Sequence, residues 1–315
     1  MGGRLLKRGL FNKCPLSAIP VSKEKQYDYK GGNSLKLEYL EKDEIWGNAP
    51  HRPDLVAELA QGKRGKLLVT IYRTGGEGPH PVVLLSHGFP GVEKNFDLAQ
   101  ALRRIGFHVV AYHYSGSWNS DGDYAFSHDI EDGESVLDFI LQNDMLGFDK
   151  NRIFAAGQSV GGFVTTHLFA KRKELRAAAV LAPCDLGEAA KMGTETEAGK
   201  LLLDILADGA PWLNGTSAEI LLKETQEHTE DFRICNLAEK MADRPLLCIG
   251  AGLDECCPPP AHCLPWVNAV QAAGGTIRYE EMQTDHSFSD MRLEMIRRTA
   301  VFLADECEKA TPAVK

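Results

Sequence analysis

From residue 66 onward, short apolar runs alternate with amphipathic segments, and this alternation limits the fold more than any other feature of the sequence. The runs at 66–72 and 81–88 are typical of strands, whereas 95–106 carries its apolar residues at helical spacing. The same criteria predict strands at 107–114, 152–157, 176–183, 245–252 and 275–282, and helices at 129–144, 160–174, 261–274 and 290–309. Strands and helices in this order predict an α/β fold, with a mainly parallel sheet and helices on both faces.

One block, residues 186–244, interrupts the alternation between two predicted strands. Its composition is helical, and a long insertion at the carboxyl end of a parallel sheet usually covers an active site. We therefore predict a core of residues 66–185 and 245–315 with 186–244 as its cap; a decorating subdomain without substrate contact is the alternative. Residues 1–65 are expected to form an N-terminal arm and edge strands, because 34–47 has a partly extended pattern.

The composition is that of a globular protein, since 43% of the 315 residues are hydrophobic and 25% are charged. The net charge of −9 argues against nucleic acid or an anionic membrane as the main partner. No apolar run is long enough for a membrane span or a secretory signal, so a cytoplasmic location is expected. The basic stretch at 1–16 has three interpretations: contact with a membrane or an importer, packing on its own domain, or an arm in a homo-oligomer.

Eight cysteines are scattered without the spacing of a disulfide framework, and most lie inside apolar runs. This usage is typical of reduced, buried thiols in a cytosolic protein. The cluster CCPPPAHC at 256–263 matches no familiar zinc spacing. We therefore predict neither a metal nor another cofactor.

The motif GQSVG at 157–161 follows one predicted strand and opens a helix. Nucleophile elbows have this context, because glycines on both sides permit a cramped turn that raises the serine oxygen above the sheet. The motif alone is common, but the strand–turn–helix setting makes it more specific. It predicts Ser159 as a nucleophile, with the N–H of Val160 at a helix N-terminus as one oxyanion donor. The motif SHGFPG at 86–91 ends an earlier strand and offers the N–H of Phe89 as the second donor.

Two further strand ends carry the partners that a nucleophilic serine needs. Asp254 comes just after one predicted strand, and His286 lies in the loop after the last strand. The order Ser159, Asp254, His286 is the order of nucleophile, acid and base in α/β hydrolases. Each residue alone would more often be structural, but their joint order and placement favour a catalytic triad. Neighbouring Asp285 and Glu255 are weaker candidates for the acid, and His87 is expected to organise its loop.

These motifs resemble the α/β-hydrolase superfamily from about residue 66 to residue 309, apart from the cap. The stretches at 112–132, 150–162 and 252–258 are similar to dienelactone hydrolase-like esterases, cinnamoyl esterases and the catalytic domain of prolyl oligopeptidases. The resemblance implies a serine hydrolase that acts on esters or small amides. The nucleophile is serine where dienelactone hydrolases use cysteine, and no β-propeller segment precedes the core. Neither that substrate nor a gated oligopeptidase is therefore expected.

The leading hypothesis is a carboxylic ester hydrolase for short acyl or aryl acids. Trp118, Tyr124 and Phe126 are candidates to line its substrate pocket, or else they pack between cap and core. An aminopeptidase, an acyl-peptide hydrolase or a thioesterase on the same triad are alternatives, as is an inactive hydrolase fold that only binds. A peptidase would need a carboxylate pair for the free amine of its substrate. The cap carries acidic residues that are candidates for this role or for simple solvation: Glu188, Glu195, Glu197, Asp204 and Asp208.

Overall fold

The computed structural model describes residues 35–46 and 51–310. Residues 1–34 and 47–50 of the predicted N-terminal segment, which include the basic stretch and Cys14, lie outside these described residues. The described chain contains one eight-stranded sheet: β1 (Asp54–Gly62), β2 (Gly65–Arg73), β3 (His80–Ser86), β4 (His108–Tyr112), β5 (Phe148–Gln158), β6 (Leu175–Leu181), β7 (Leu246–Ala251) and β8 (Ile277–Met282).

The strand order is β1-β2-β4-β3-β5-β6-β7-β8. The pairs β1–β2 and β2–β4 are antiparallel, and every pairing from β4 to β8 is parallel. Parallel neighbours need crossover connections, and the intervening helices supply them. The prediction of an α/β fold with a mainly parallel sheet is confirmed.

Ten α-helices accompany the sheet in the described residues: α1 (Phe96–Ile105), α2 (Phe126–Gln142), α3 (Val160–Lys171), α4 (Leu186–Ala190), α5 (Glu197–Gly209), α6 (Ala218–Glu227), α7 (Ala238–Met241), α8 (Pro259–His262), α9 (Leu264–Ala272) and α10 (Arg292–Ala310). Short 3₁₀ turns lie at Leu37–Leu40, Ala210–Trp212 and Ile234–Leu237. None of these helices is long and apolar enough to span a membrane.

The hydrophobic core is split by the sheet into two layers. Along β5, Ile153 and Ala155 belong to the layer that includes α2, α3 and α9, whereas Phe154 and Ala156 belong to the layer with α1 and α10. Successive side chains of a strand point to opposite faces, so a strand covered on both sides must be apolar throughout. This accounts for the nearly continuous apolar runs in the sequence.

Three predicted elements differ from the structure. The segment 34–47 was expected to be partly extended, but its described part forms a 3₁₀ turn, and the edge strand lies later, at β1. Helix 261–274 is divided into α8 and α9, because prolines 258–260 and Pro265 restrict the backbone there. Helix α2 begins at Phe126 instead of 129. Its first N–H groups, those of Phe126 and Ser127, donate to the carboxylate of Glu224 at 2.9 Å each.

The predicted cap region, residues 186–244, holds α4 to α7 and connects β6 to β7. The middle of this region contacts the loop before α2. The backbone of Leu213 forms a bridge with Ser117, and Asn214 exchanges hydrogen bonds with Gly116 and Tyr124 at 2.8 and 2.9 Å. The loop and the cap therefore form a continuous layer, while the division into arm, core and cap stays a prediction.

Candidate active site

The turn between β5 and α3 holds Ser159 in an unusual backbone conformation. Its φ and ψ are 60° and −126°, which non-glycine residues rarely adopt. Three backbone hydrogen bonds fix this geometry: the N–H donates to Leu181 O, and the carbonyl accepts from Gly162 N–H and Cys184 N–H, all within 3.0 Å. Strained residues persist only where their surroundings determine them in this way, and they cluster at functional sites. Ser159 therefore has the backbone of a nucleophile elbow.

The two glycines that flank this turn have no room for a side chain. A Cβ atom on Gly157 would lie 2.1 Å from the carbonyl oxygen of Gly161. A Cβ atom on Gly161 would lie 2.2 Å from Ser86 O and 2.7 Å from His87 O. All of these contacts are with backbone atoms, which cannot rotate away. The elbow thus packs directly on the end of β3, and this close approach requires the glycines of the motif.

We expect Gly161→Ala to lower the free energy of unfolding by about 3 kcal/mol, because the added methyl group must displace the backbone at the end of β3. Gly193→Ala is the matched control. Its added Cβ would meet only Thr196 Cγ2, at 3.9 Å. Urea unfolding of both variants measures the effect. Equal stability of the two variants would contradict the packing described for the elbow.

The carboxylate of Asp254 and the imidazole of His286 meet beside the ends of β7 and β8. Asp254 Oδ2 accepts a hydrogen bond from His286 Nδ1 at 2.6 Å, and the Asp254 side chain is fully buried. Its other oxygen, Oδ1, accepts from the N–H groups of Cys256 and Cys257 at 2.9 and 2.8 Å. Three donors to a buried carboxylate fix its orientation. With Nδ1 donating to it, His286 presents Nε2 as its acceptor.

The elbow and the His286 loop are joined directly. The side-chain amide of Gln158, the residue before Ser159, donates to the backbone carbonyl of His286 at 2.7 Å. Within the described residues, Ser159 Oγ makes no hydrogen bond, to His286 or to any other group. Contacts between a nucleophile and its base are often long in unliganded enzymes and tighten when substrate binds. Asp285, the acidic residue next to His286 in the sequence, binds the N–H and hydroxyl of Ser289 instead of the imidazole.

Opposing effects set the pKa of His286. Burial of the ring lowers the pKa, but the hydrogen bond and the charge of Asp254 raise it by more, with smaller contributions from Cys256 and Asp285. The net effect raises the pKa above the usual value of about 6.5. A histidine with a raised pKa stays protonated up to a higher pH, and while it is protonated it cannot act as a base.

If His286 is the general base, kcat/KM for an ester should fall as the pH drops through a value above about 6.5. In Asp254→Asn this half-point should move to lower pH, because the hydrogen bond to a charged carboxylate is lost. Rate–pH profiles of the two proteins measure the shift. An unchanged half-point in the variant would show that another group controls the profile.

The loop after β3 lies close to Ser159. A Cβ atom on Gly88 would lie 3.1 Å from Ser159 Cβ and 3.6 Å from Ser159 Oγ. The backbone N–H groups of Phe89 and Val160 donate to no other group among the described residues. Both donors that were predicted from the sequence thus flank the serine without a competing partner. Their role as an oxyanion hole stays a prediction.

His87 organises this loop. Its Nδ1–H donates to Gly88 O at 2.7 Å, and its own carbonyl accepts from the hydroxyl of Tyr114 at 2.9 Å. Burial lowers the pKa of the His87 imidazole to about 4, so the ring is neutral at physiological pH. A buried, neutral ring that holds a backbone carbonyl supports the predicted structural role.

The aromatic residues proposed to bind substrate lie in different environments. Tyr124 and Phe126 are almost fully buried, and each ring packs 5.8 Å from the ring of Phe89. Trp118 is partly exposed and stacks on Trp212 of the cap, with 6.2 Å between the ring centroids. Trp212 is 62% exposed and was not singled out from the sequence. Substrate contact by the predicted three stays a prediction, and Trp118 has the accessible surface for it.

Among residues 35–46 and 51–310, two groups of side chains have the spacing to hold a metal ion. Cys184, Cys257 and His262 form the first, but His262 Nδ1 accepts a hydrogen bond from a backbone N–H at 3.0 Å. The neutral ring must then carry its proton on Nε2, which leaves no lone pair there for a metal. The second group, Cys256, Cys257 and His286, includes the predicted general base. A metal bound there would compete with proton transfer.

Solved structures with this fold support the architecture. The Pyrococcus horikoshii acylaminoacyl peptidase superposes with a TM-score of 0.63 and 16% identity over 84% of this chain and 43% of that one. A puromycin hydrolase superposes with a TM-score of 0.58 and 22% identity over 82% of this chain and 39% of that one. A brefeldin A esterase superposes with a TM-score of 0.61 and 19% identity over 85% of this chain and 81% of that one. It is described as a bacterial homologue of human hormone sensitive lipase. The chain spans less than half the length of the peptidase and of the puromycin hydrolase.

A family model described as serine aminopeptidase, S33, matches residues 77–246, which is more than half of the chain. The matched segment includes the loop after β3, the elbow at Ser159 and the cap. It ends before Asp254 and His286. The chain therefore belongs to the serine aminopeptidase S33 family and is a serine hydrolase of the α/β fold.

Proposed function

We propose that the protein hydrolyses carboxylic esters of short acyl or aryl acids through Ser159, His286 and Asp254. The observation that carries this proposal is the backbone of Ser159, a non-glycine residue with a φ of 60° at a strand–helix turn. Strain of this kind serves to present a side chain, and the loops after β7 and β8 bring the buried Asp254 into contact with the partly buried His286. No metal or organic cofactor is required for this chemistry.

The first half of the reaction forms an acyl-enzyme. His286 Nε2 takes the proton of Ser159 as the serine oxygen attacks the carbonyl carbon of the ester. Asp254 holds the imidazole in the required tautomer and stabilises the imidazolium that forms. The developing oxyanion lies between the N–H groups of Phe89 and Val160, and each such donor contributes roughly 3 kcal/mol in comparable sites.

The alcohol leaves as the acyl-enzyme forms, and hydrolysis of the acyl-enzyme then releases the acid. His286 donates its proton to the departing alcohol oxygen, and the bond between that oxygen and the acyl carbon breaks. Water then takes the place of the alcohol and loses a proton to His286 as it attacks the acyl-enzyme. Collapse of the second tetrahedral intermediate returns the proton to Ser159 and frees the acid. Atoms and charge balance without any group beyond the three side chains and water.

The preference for small acyl groups rests on the packing around Phe89. The cap packs directly on this ring through Gly209 of α5, because a Cβ atom on Gly209 would lie only 2.1 Å from Phe89 Cε1. On the other side, Phe89 packs against Tyr124 and Phe126. Packed rings therefore border the space beside the proposed oxyanion donor, which favours short acids. The exposed indole of Trp212 offers a flat apolar surface for an aryl group.

Hydrolysis of peptides or acylated amino acids is a second candidate, supported by the family's description and by the fold shared with an acylaminoacyl peptidase. Such a substrate needs carboxylates to bind its free amine. Among the five acidic residues predicted as candidates for this role, Glu195, Asp204 and Asp208 are exposed, while Glu188 and Glu197 form ion pairs with nearby cations. This charge distribution favours the ester.

The choice of substrate distinguishes the two candidate functions. The proposal predicts that the wild-type protein turns over p-nitrophenyl acetate and butyrate, loses rate as the acyl chain lengthens, and leaves aminoacyl-coumarin amides intact. Initial rates at equal enzyme concentration measure all three expectations. Faster turnover of the amide than of the esters would favour the peptidase. A rate that rises steadily with acyl length would contradict the preference for short acids.

A further inference from the structure

We propose that Cys256 and Cys257 form a thiol modification site, which a hydroperoxide oxidises to a disulfide that displaces Asp254. The site lies outside the proposed chemistry, although its effect on activity rests on Asp254 having the function proposed above. Seven cysteines lie in the described residues and all are free thiols. Among them, Cys256 and Cys257 are adjacent both in sequence and in space.

The two sulfur atoms are 3.7 Å apart. Cys256 is partly exposed, whereas Cys257 is buried. A nitrogen of His286 lies within 4.8 Å of both sulfurs. The accessible thiol of the pair therefore borders the proposed active site, where a small oxidant that enters with solvent can reach it. The second thiol is already in place behind it.

The pKa values of the two thiols are shifted in opposite directions by their surroundings. A hydrogen bond from Cys257 lowers the pKa of the Cys256 thiol to about 7, helped by His286 and opposed by burial and by the charge of Asp254. The pKa of Cys257 is raised by its contacts with the Cys184 and Cys256 sulfurs and by burial. Thiolates are the nucleophilic form of cysteine. Cys256 is thus the attacking sulfur, and Cys257 stays a thiol that can react in the second step.

The oxidation balances with a hydroperoxide as the oxidant. The Cys256 thiolate attacks one peroxide oxygen, the O–O bond breaks, and the leaving alkoxide or hydroxide takes a proton from water. Sulfur is oxidised to a sulfenic acid while the peroxide is reduced by two electrons. The Cys257 sulfur then attacks Cys256, an S–S bond forms, and the S–O bond breaks. The departing hydroxyl leaves as water with the proton of Cys257.

Disulfide formation acts on Asp254 through the backbone. The N–H groups of Cys256 and Cys257 are the two donors to Asp254 Oδ1. The Cα atoms of adjacent residues are about 3.8 Å apart, closer than the roughly 4.4–6.8 Å usual across a disulfide. Because the linking peptide fixes this Cα–Cα distance, the disulfide closes a small, strained ring, and the peptide must rotate out of its relaxed geometry to close it. That rotation moves the N–H of Cys257 away from Asp254, which then loses the orientation that His286 needs.

The same strain makes the proposed disulfide easy to reduce. A disulfide that forces the backbone out of its relaxed geometry is more easily reduced than an unstrained one. A thiol reductant should therefore restore the pair and, with it, the two hydrogen bonds to Asp254. The proposed site is thus a reversible modification in contact with the triad.

The test uses the full chain treated with hydrogen peroxide, followed by thiol blocking, intact mass measurement and peptide mapping. We expect a loss of about 2 Da, for two hydrogens, confined to the peptide with residues 256–257. Ester turnover should fall by at least about tenfold, since the triad needs an oriented carboxylate, and dithiothreitol should restore it. Cys256→Ser should show neither change. The control Cys235→Ser, another partly exposed thiol, should behave as wild type.

Three results would overturn the proposal: a disulfide between Cys184 and Cys257, oxidation confined to other cysteines, or a 256–257 disulfide that leaves turnover unchanged. The mass measurement needs no turnover. It therefore reports on the thiol pair even if ester hydrolysis proves independent of Ser159. Failure of this proposal and failure of the proposed function are thus told apart by separate readouts.

Discussion

Replacing Ser159 with alanine is expected to lower ester turnover by at least about 10⁴-fold while the fold is retained. The reason is that no other nucleophile is available on the elbow, and the oxyanion donors alone accelerate hydrolysis only weakly. Alanine keeps a Cβ atom, so the backbone of the turn loses no packing. Rates on p-nitrophenyl acetate, together with circular dichroism of both proteins, measure the effect.

Ser135→Ala is the matched control for this experiment. Ser135 lies on α2 and its hydroxyl donates to the carbonyl of Glu131 within the same helix. We expect its turnover to equal that of the wild type. If Ser159→Ala hydrolysed the ester as fast as Ser135→Ala, then Ser159 would not be the nucleophile and the proposed mechanism would be wrong.

Replacing Asp254 with asparagine is expected to lower kcat by roughly 10⁴-fold. Asparagine keeps the shape of the side chain, and its oxygen can still accept the N–H groups of Cys256 and Cys257. Its amide nitrogen then faces His286 Nδ1 and donates to it. The imidazole must carry its own proton on Nε2, which is the wrong tautomer to accept a proton from Ser159.

Asp285→Asn separates this effect from a general loss of negative charge near His286. Asp285 is adjacent in sequence, but its carboxylate binds the N–H and hydroxyl of Ser289 and does not contact the ring. We expect this variant to keep kcat within about threefold of the wild type, as its charge is exposed to solvent. Equal losses in both variants would show that charge, and not orientation by Asp254, is what matters.

The sequence predicted the strands and helices that its own pattern determines. Apolar runs located β3, β5 and β7, because a strand between two helical layers can carry few polar residues. The beginning of α2 was missed, because the carboxylate that caps it, Glu224, is almost 100 residues away in the chain. Contacts of that kind leave no local signal. The 3₁₀ turn at Leu37–Leu40 was missed because a turn of four residues has no periodicity to detect.

The same limit applies to the candidate site. The order of Ser159, Asp254 and His286 and their placement after predicted strands were visible in the sequence. The amide of Gln158 that holds the His286 carbonyl was not, because nothing in the sequence links these two residues. The N–H groups of Cys256 and Cys257 could have been inferred, since a turn-forming aspartate commonly binds N–H groups two and three residues later. The stacking of Trp118 on Trp212 depends on the path of the cap.

The most direct test of the central claim is covalent labelling with a fluorophosphonate probe, followed by peptide mapping of the adduct. Activated serines react with such probes and ordinary serines do not. We predict one adduct, on Ser159, formed rapidly in the wild type and much more slowly in Asp254→Asn. No adduct on Ser159, or a labelling rate unaffected by Asp254→Asn, would contradict the triad.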